Sequence, residues 1–164
     1  MAIDQKFINQ FASVTSKAAV ASYKLVGKKD KIAADKAAVD SMRNELNKLN
    51  VDGKIVIGEG ELDKAPMLYI GEKVGTTRGP KIDIAVDPLE GTNFAANNLP
   101  GALSVIAIAE KDNLFHAPET YMEKISSKVN EKGVVDLDYT VKENIFNLCE
   151  YLNKKPESIT ACIM

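Results

Sequence analysis

Acidic residues follow the ends of two short apolar runs, where their oxygens suit the binding of a hard cation. Lys54-Ile55-Val56-Ile57-Gly58 delivers the chain to Glu59, with Glu61 and Asp63 close behind. Ile82-Asp83-Ile84-Ala85-Val86 delivers it to Asp87, with Glu90 three residues later. In layered α/β proteins, ligands gather where the C-terminal ends of strands open into a crevice. Carboxylates placed there by neighbouring strands repel one another, and a divalent cation with oxygen ligands is the usual compensation. Glu61 and Asp63 read equally well as solvated loop charges. Asp87 and Glu90 lie in a more informative turn, Asp87-Pro88-Leu89-Glu90-Gly91-Thr92. Pro88 fixes the backbone after the run, Gly91 permits tight geometry or close ligand approach, and the Thr92 hydroxyl can orient a water. If a helix starts there, the amides of Gly91, Thr92 and Asn93 can cradle a phosphate. Metal ligands beside an anion cradle are what phosphate-ester hydrolysis requires.

The elements that must position these residues alternate between helical and strand periods. Phe7, Phe11, Val14, Ala18 and Leu25 fall at helical spacing and predict an amphipathic helix over 4–26, ended by Gly27. A basic turn at Lys28-Lys29-Asp30-Lys31 leads to a second helix over 33–49, with Val39, Met42, Leu46 and Leu49 on its apolar face. Buried strands are predicted at 54–57 and 82–86, and residues 67–73 are ambiguous. Residues 103–109 predict a third strand, paired as a hairpin with Leu114-Phe115 across Lys111-Asp112-Asn113. Helices are expected over 118–127 and 141–153, and a last strand over 158–164. This pattern is an α/β layered domain, taken as one domain over 1–164, with no internal repeat or low-complexity linker.

The chain has 164 residues, 45% hydrophobic and 27% charged, with a net charge of -2, so a soluble, globular protein is expected and a nucleic-acid or membrane-surface partner is not. No apolar run approaches the roughly 20 residues that span a bilayer, and the first 16 residues lack the pattern of a signal peptide. Cys149 and Cys162 read as buried free thiols, and their scarcity fits a reducing, cytoplasmic setting. His116, the single histidine, has no neighbours at zinc spacing and reads as structural.

The hexapeptide Asp87-Pro88-Leu89-Glu90-Gly91-Thr92, with Gly58-Glu59 upstream, resembles the signature of the lithium-sensitive, magnesium-dependent phosphatase superfamily. Further blocks narrow the likeness: Gly27-Lys28-Lys29-Asp30-Lys31 with Ala34-Asp35, Ile55-Val56-Ile57-Gly58-Glu59-Gly60-Glu61, Ala65-Pro66-Met67-Leu68-Tyr69-Ile70-Gly71-Glu72, and Ala117-Pro118-Glu119-Thr120-Tyr121-Met122. Together they resemble class II fructose-1,6-bisphosphatase along the whole chain. The resemblance implies the N-terminal portion of a layered αβαβα sugar-phosphatase sandwich. It implies Mn2+ or Mg2+ held by Asp35 and Glu59 at one site and by Asp87 and Glu90 at a second, with the Leu89 carbonyl as a further contact. Thr92, Asp87 and Glu59 are the implied catalytic residues, and Thr92 positions the attacking water. Glu90, Gly91, Thr92 and Tyr121 are the implied contacts to a sugar bisphosphate. Lys31 and Asp63 are weaker candidates for supporting the metals. Read from position alone, Asp35 is a dipole-favoured acid near a helix start and Tyr121 a half-buried helix aromatic.

The implied activity is hydrolysis of the 1-phosphate of fructose 1,6-bisphosphate to fructose 6-phosphate and phosphate, a step of gluconeogenesis. Family members are roughly twice this length, so the chain reads as an apparently truncated metal-binding half, and residues 97–101 match the family less well than their flanks. Two alternatives stand beside the activity. One is a related substrate such as sedoheptulose 1,7-bisphosphate or an inositol phosphate; the other is an inactive fragment that binds metal or a partner. An exposed sheet edge and apolar face predict self-association or pairing with a missing C-terminal half.

Overall fold

The computed structural model describes residues 6–58, 68–115 and 122–161. It divides into two compact units, Met1–Ala117 and Pro118–Met164, each treated by itself. The first unit opens with α1 (Lys6–Tyr23) and α2 (Lys31–Leu46). Phe7, Phe11, Val14 and Ala18 are buried on α1, as the helical spacing predicts, and Ala34, Ala38, Val39, Met42 and Leu46 are buried on α2. Small side chains at Ala18, Ala34 and Ala38 let the backbones approach closely. Each of the large side chains contributes roughly 1.5–3 kcal/mol by leaving water.

Four strands follow: β1 (Asp52–Ile57), β2 (Lys73–Val74), β3 (Lys81–Glu90) and β4 (Leu103–Glu110), with the short helix α3 (Thr92–Ala96) between the last two. The sheet runs β2-β1-β3-β4. β1 lies parallel to β3, and the β1–β2 and β3–β4 pairs are antiparallel. Ile55, Val74, Ile82, Ile84 and Val86 face the helices and join their core, with Ile106 and Ile108 of β4 packed against it. Asp83, Ala85 and Asp87 alternate onto the opposite face, opposite Ala109, Ala107 and Val105 of β4. That face is open to solvent at Leu103 (58% exposed) and Val105 (44%). Helices layered on a mixed sheet make this an α/β fold.

In the second unit, α4 (Val141–Leu152) starts with a capping box: the Glu143 amide donates to Thr140 Oγ1 at 3.2 Å, and the Thr140 amide donates to Glu143 Oε2 at 2.8 Å. Cys149 is buried and free, as expected; Cys162 lies outside the described residues.

Several boundaries differ from the sequence pattern. α1 ends at Tyr23, and turns carry the chain to Gly27, which takes a positive φ of 76°. α2 begins two residues earlier than predicted, because Asp30 caps it by accepting the Ala33 amide at 2.9 Å. The hairpin with Leu114-Phe115 does not form. β4 pairs with β3 instead, and the amides of Asn113 and Leu114 donate to Asp83 Oδ2 at 3.1 and 3.4 Å, which turns the chain away. Residues 122–127 are not helical; Ser127 Oγ accepts the Val129 amide at 3.3 Å, a local bond that competes with a helix. In place of the last strand, Pro156–Ser158 forms a 3-10 turn, and residues 159–161 pair with no described strand.

Candidate active site

Three segments converge on the C-terminal ends of β1 and β3. β1 reaches Gly58, where a side chain would collide with the Leu68 carbonyl oxygen at 2.2 Å, so only glycine lets the two backbones approach. Glu59, Glu61 and Asp63 follow immediately and lie outside the described residues, as do His116 and Tyr121.

β3 departs from expectation in a way that bears on the chemistry. The predicted strand stops at residue 86, yet β3 continues through Pro88 to Glu90. Asp87 is opposite Val105 and Glu90 is opposite Leu103, so three steps along β3 match two along β4. One residue is therefore extra, a β-bulge, and Pro88 sits inside it, where a missing amide is tolerated. Strict alternation would send Asp87 and Glu90 to opposite faces. With the bulge, both carboxylates take the face of Val105 and Leu103, while Leu89 turns into the core at 4% exposure. Asp87 Oδ1 accepts the Leu89 amide at 3.1 Å, which holds the bulge in shape.

The chain then turns through Gly91, the N-cap of α3, in the left-handed region (φ 79°, ψ 44°). A larger residue is strained there and would also press on the Phe94 ring, 3.2 Å from its Cβ. A helix does follow this turn, the condition set for an anion cradle: α3 starts at Thr92 but spans only five residues. The Gly91 carbonyl accepts from the Phe94 and Ala95 amides at 2.9 and 3.2 Å.

Asp35 comes from the second turn of α2. The turn preceding α2 is bonded to α3, Gly27 N–H to the Ala95 carbonyl at 3.0 Å and Lys29 N–H to the Ala96 carbonyl at 2.8 Å. The start of α2 is thus docked beside the helix that follows the acidic turn. Asp35 Oδ1 is buried and has no hydrogen-bond partner, one of two such side-chain atoms among the described residues; the other is Ser104 Oγ, on the β4 residue between the partners of Asp87 and Glu90. Burial pushes the Asp35 carboxyl above its usual range by disfavouring the charged form. A carboxylate oxygen withdrawn from water and left without a donor fits a cation ligand. Lys31 is exposed in the first turn of α2.

Asp87, Glu90, Gly91 and Thr92 are therefore brought together in one turn, and Asp35 is carried on the helix tied to it. Among the described residues alone, no group of three or more acidic, histidine or cysteine side chains is placed to hold a metal ion. Two contributions escaped sequence reasoning. Arg43, two turns beyond Asp35, grips Glu72 through Nε at 2.7 Å and Nη2 at 3.1 Å, and the Glu72 carbonyl accepts the Ile55 amide at 2.9 Å. This pair clamps α2 onto β1, and a lone Arg and a distant Glu give no signal for it in sequence. The bulge had a signal, a proline inside an apolar run, that reads as a strand end just as well.

Comparison with known proteins adds an independent line. Residues 5–164 match the family model described as bacterial fructose-1,6-bisphosphatase, glpX-encoded. The chain is 49% identical over 155 residues to fructose-1,6-bisphosphatase 1 class 2 of Escherichia coli K12, covering 94% of this chain and 46% of that protein. It is 47% identical over 162 residues to the D-fructose 1,6-bisphosphatase class 2/sedoheptulose 1,7-bisphosphatase of Synechococcus sp. CC9902, covering 99% and 48%. A protein of the same name from Prochlorococcus marinus MIT 9301 is 45% identical over 162 residues, covering 99% and 49%. The chain spans about half the length of these relatives.

Proposed function

The chain belongs to the family of glpX-encoded bacterial fructose-1,6-bisphosphatases, and on that premise we propose that it contributes to metal-dependent hydrolysis of the 1-phosphate of fructose 1,6-bisphosphate. The observation that carries this reading is the bulge in β3, which sets the Asp87 and Glu90 carboxylates on one face beside Gly91 and Thr92. Asp35 and Glu59 complete the proposed ligand set for Mg2+ or Mn2+, supported for Asp35 by its buried, unpartnered oxygen. When bound, such a cation supplies charge neutralisation and an acidified water.

The protein's own groups do the rest in this reading. Asp87 and Glu90 hold negative charge at the strand end and orient what binds there. Thr92 presents a hydroxyl beside Gly91 to fix the attacking water. Glu90, Gly91 and Tyr121 contact the sugar bisphosphate, and the backbone at Gly91 leaves room for a phosphoryl oxygen to approach. Among the described residues no helix is long and apolar enough to cross a membrane, and we place the protein in the cytoplasm, in gluconeogenesis. The names of the cyanobacterial relatives favour sedoheptulose 1,7-bisphosphate as a second substrate. Association of this chain through its sheet edge is supported by the exposed Leu103 and Val105.

The test is phosphate release from fructose 1,6-bisphosphate by the 164-residue chain with Mn2+, with Mg2+ and with chelator, beside Asp87→Asn. Release that needs metal and is lost in Asp87→Asn, with unchanged circular dichroism, is the expected result. A folded, fully active Asp87→Asn protein overturns the metal role. No release by the folded wild-type chain assigns it instead to a metal- or partner-binding fragment.

A further inference from the structure

At the opposite end of the sheet, about 20 Å from Asp87 along β3, four lysines crowd together. Lys54, Lys73, Lys81 and Lys111 line a cleft of 80 Å³ with Asp52 and Ile82. The strand register explains the crowding. Lys54 is directly opposite Lys73, Lys81 is opposite Asp52, and the Lys111 amide donates to the Lys81 carbonyl at 3.2 Å. By alternation all four lysines take the sheet face turned away from the helices, the face of Asp83. Like charges directly opposite on adjacent strands destabilise a sheet. Nearby acids compensate only in part. Asp52 Oδ1 lies 3.6 Å from Lys73 Nζ, and Asp112 lies 3.6 Å from Lys111. Asp83 is buried, and its Oδ2 already accepts two backbone amides. By contrast, Lys17 and Lys48 each reach Glu45 at the shorter distance of 2.6 Å.

We propose that this cleft binds a compact phosphate anion, free or as the phosphoryl head of a small molecule, at a site separate from the acidic turn. Several ammonium groups acting as point charges are a known means of holding phosphate. The volume equals about two to three waters of liquid, which suits one tetrahedral oxyanion and excludes burial of a whole nucleotide. The inference stands independently of the proposed hydrolysis.

The test uses the 164-residue chain in chelator, with inorganic phosphate against sodium chloride at matched ionic strength, followed by equilibrium dialysis and thermal melting. Saturable binding and a melting midpoint that rises with phosphate beyond the chloride control are expected. Lys54→Gln and Lys81→Gln each weaken binding about tenfold, the effect of one charge-assisted contact, while Lys17→Gln leaves it unchanged. Lys54→Gln also raises the midpoint without phosphate, because it removes the repulsion from Lys73. Equal effects of chloride and phosphate, no saturable binding, or unchanged binding in the Lys54→Gln/Lys81→Gln double variant each overturn the proposal.

Discussion

A buried carboxylate oxygen without a donor is unfavourable, because its desolvation is not offset by a bond. Asp35 holds such an oxygen on a helix where alanine is the better helix former. Asp35→Ala is therefore expected to stabilise the metal-free chain by about 1 kcal/mol, read from denaturant melts. The same substitution removes the additional stability that Mn2+ gives the wild type. A destabilised Asp35→Ala chain in chelator contradicts this account of Asp35. Gly58 makes the complementary case, a residue whose value lies in what it lacks. Gly58→Ala drives a methyl into the Leu68 carbonyl and is expected to cost about 1–3 kcal/mol in chemical denaturation. It also displaces the chain that leads to Glu59.

Among the elements, α2 carries the most responsibility, since it bears Asp35 and is fastened at three places. Asp30 caps it, the Gly27 and Lys29 amides bond it to α3, and Arg43 clamps it to Glu72. Removing one member of a partly buried pair strands the other, so Arg43→Ala is expected to destabilise by about 2–3 kcal/mol. The Arg43→Met/Glu72→Met double variant recovers part of that loss, and a strictly additive double variant counts against the clamp. The α1–α2 contact has its own pH signature. Hydrogen bonds from Lys17 and then Lys48 hold the Glu45 carboxyl below its ordinary value of 4.5. A depressed carboxyl contributes stability above its unfolded pKa and loses it as pH falls through the lower folded value. The melting difference between wild type and Glu45→Gln is accordingly present at neutral pH and shrinks once pH drops below 4.5. A difference that grows on acidification reverses the assignment.

On the scale of the molecule, the open sheet face is the feature with the clearest physical demand. Leu103 and Val105 stand exposed on edge strand β4, an arrangement that invites association. Sedimentation is expected to show concentration-dependent self-association, abolished by Val105→Lys without loss of circular dichroism. A wild-type monomer at high concentration removes this reading. The sequence made the larger plan legible. Helical spacing of Phe7, Phe11, Val14 and Ala18 marked α1, β-branched runs marked β1 and β3, and the acidic turn marked the site. What stayed hidden depends on contacts between distant residues. Period-two alternation cannot reveal a bulge, because the extra residue shows only against the partner strand. Leu114-Phe115 carries strand-forming side chains, yet the amides of Asn113 and Leu114 are captured by Asp83, about thirty residues upstream. Ser127 and Pro156 settled local turns that apolar content alone had suggested as helix and strand.

The bulge between Asp87 and Glu90 also decides which kinds of mutation this stretch can survive. Substitutions at Leu89 change volume but keep the count, so repacking can absorb them. Deletion of a single residue between Asp87 and Glu90 removes the bulge: two steps then match two along β4, and plain alternation leaves both carboxylates on one face. What is lost is one of the two buried side chains, Pro88 or Leu89, and the turn that the Leu89 amide holds by donating to Asp87 Oδ1, although every charged residue is still present. For this strand, chain length is as much a part of the site as chemistry.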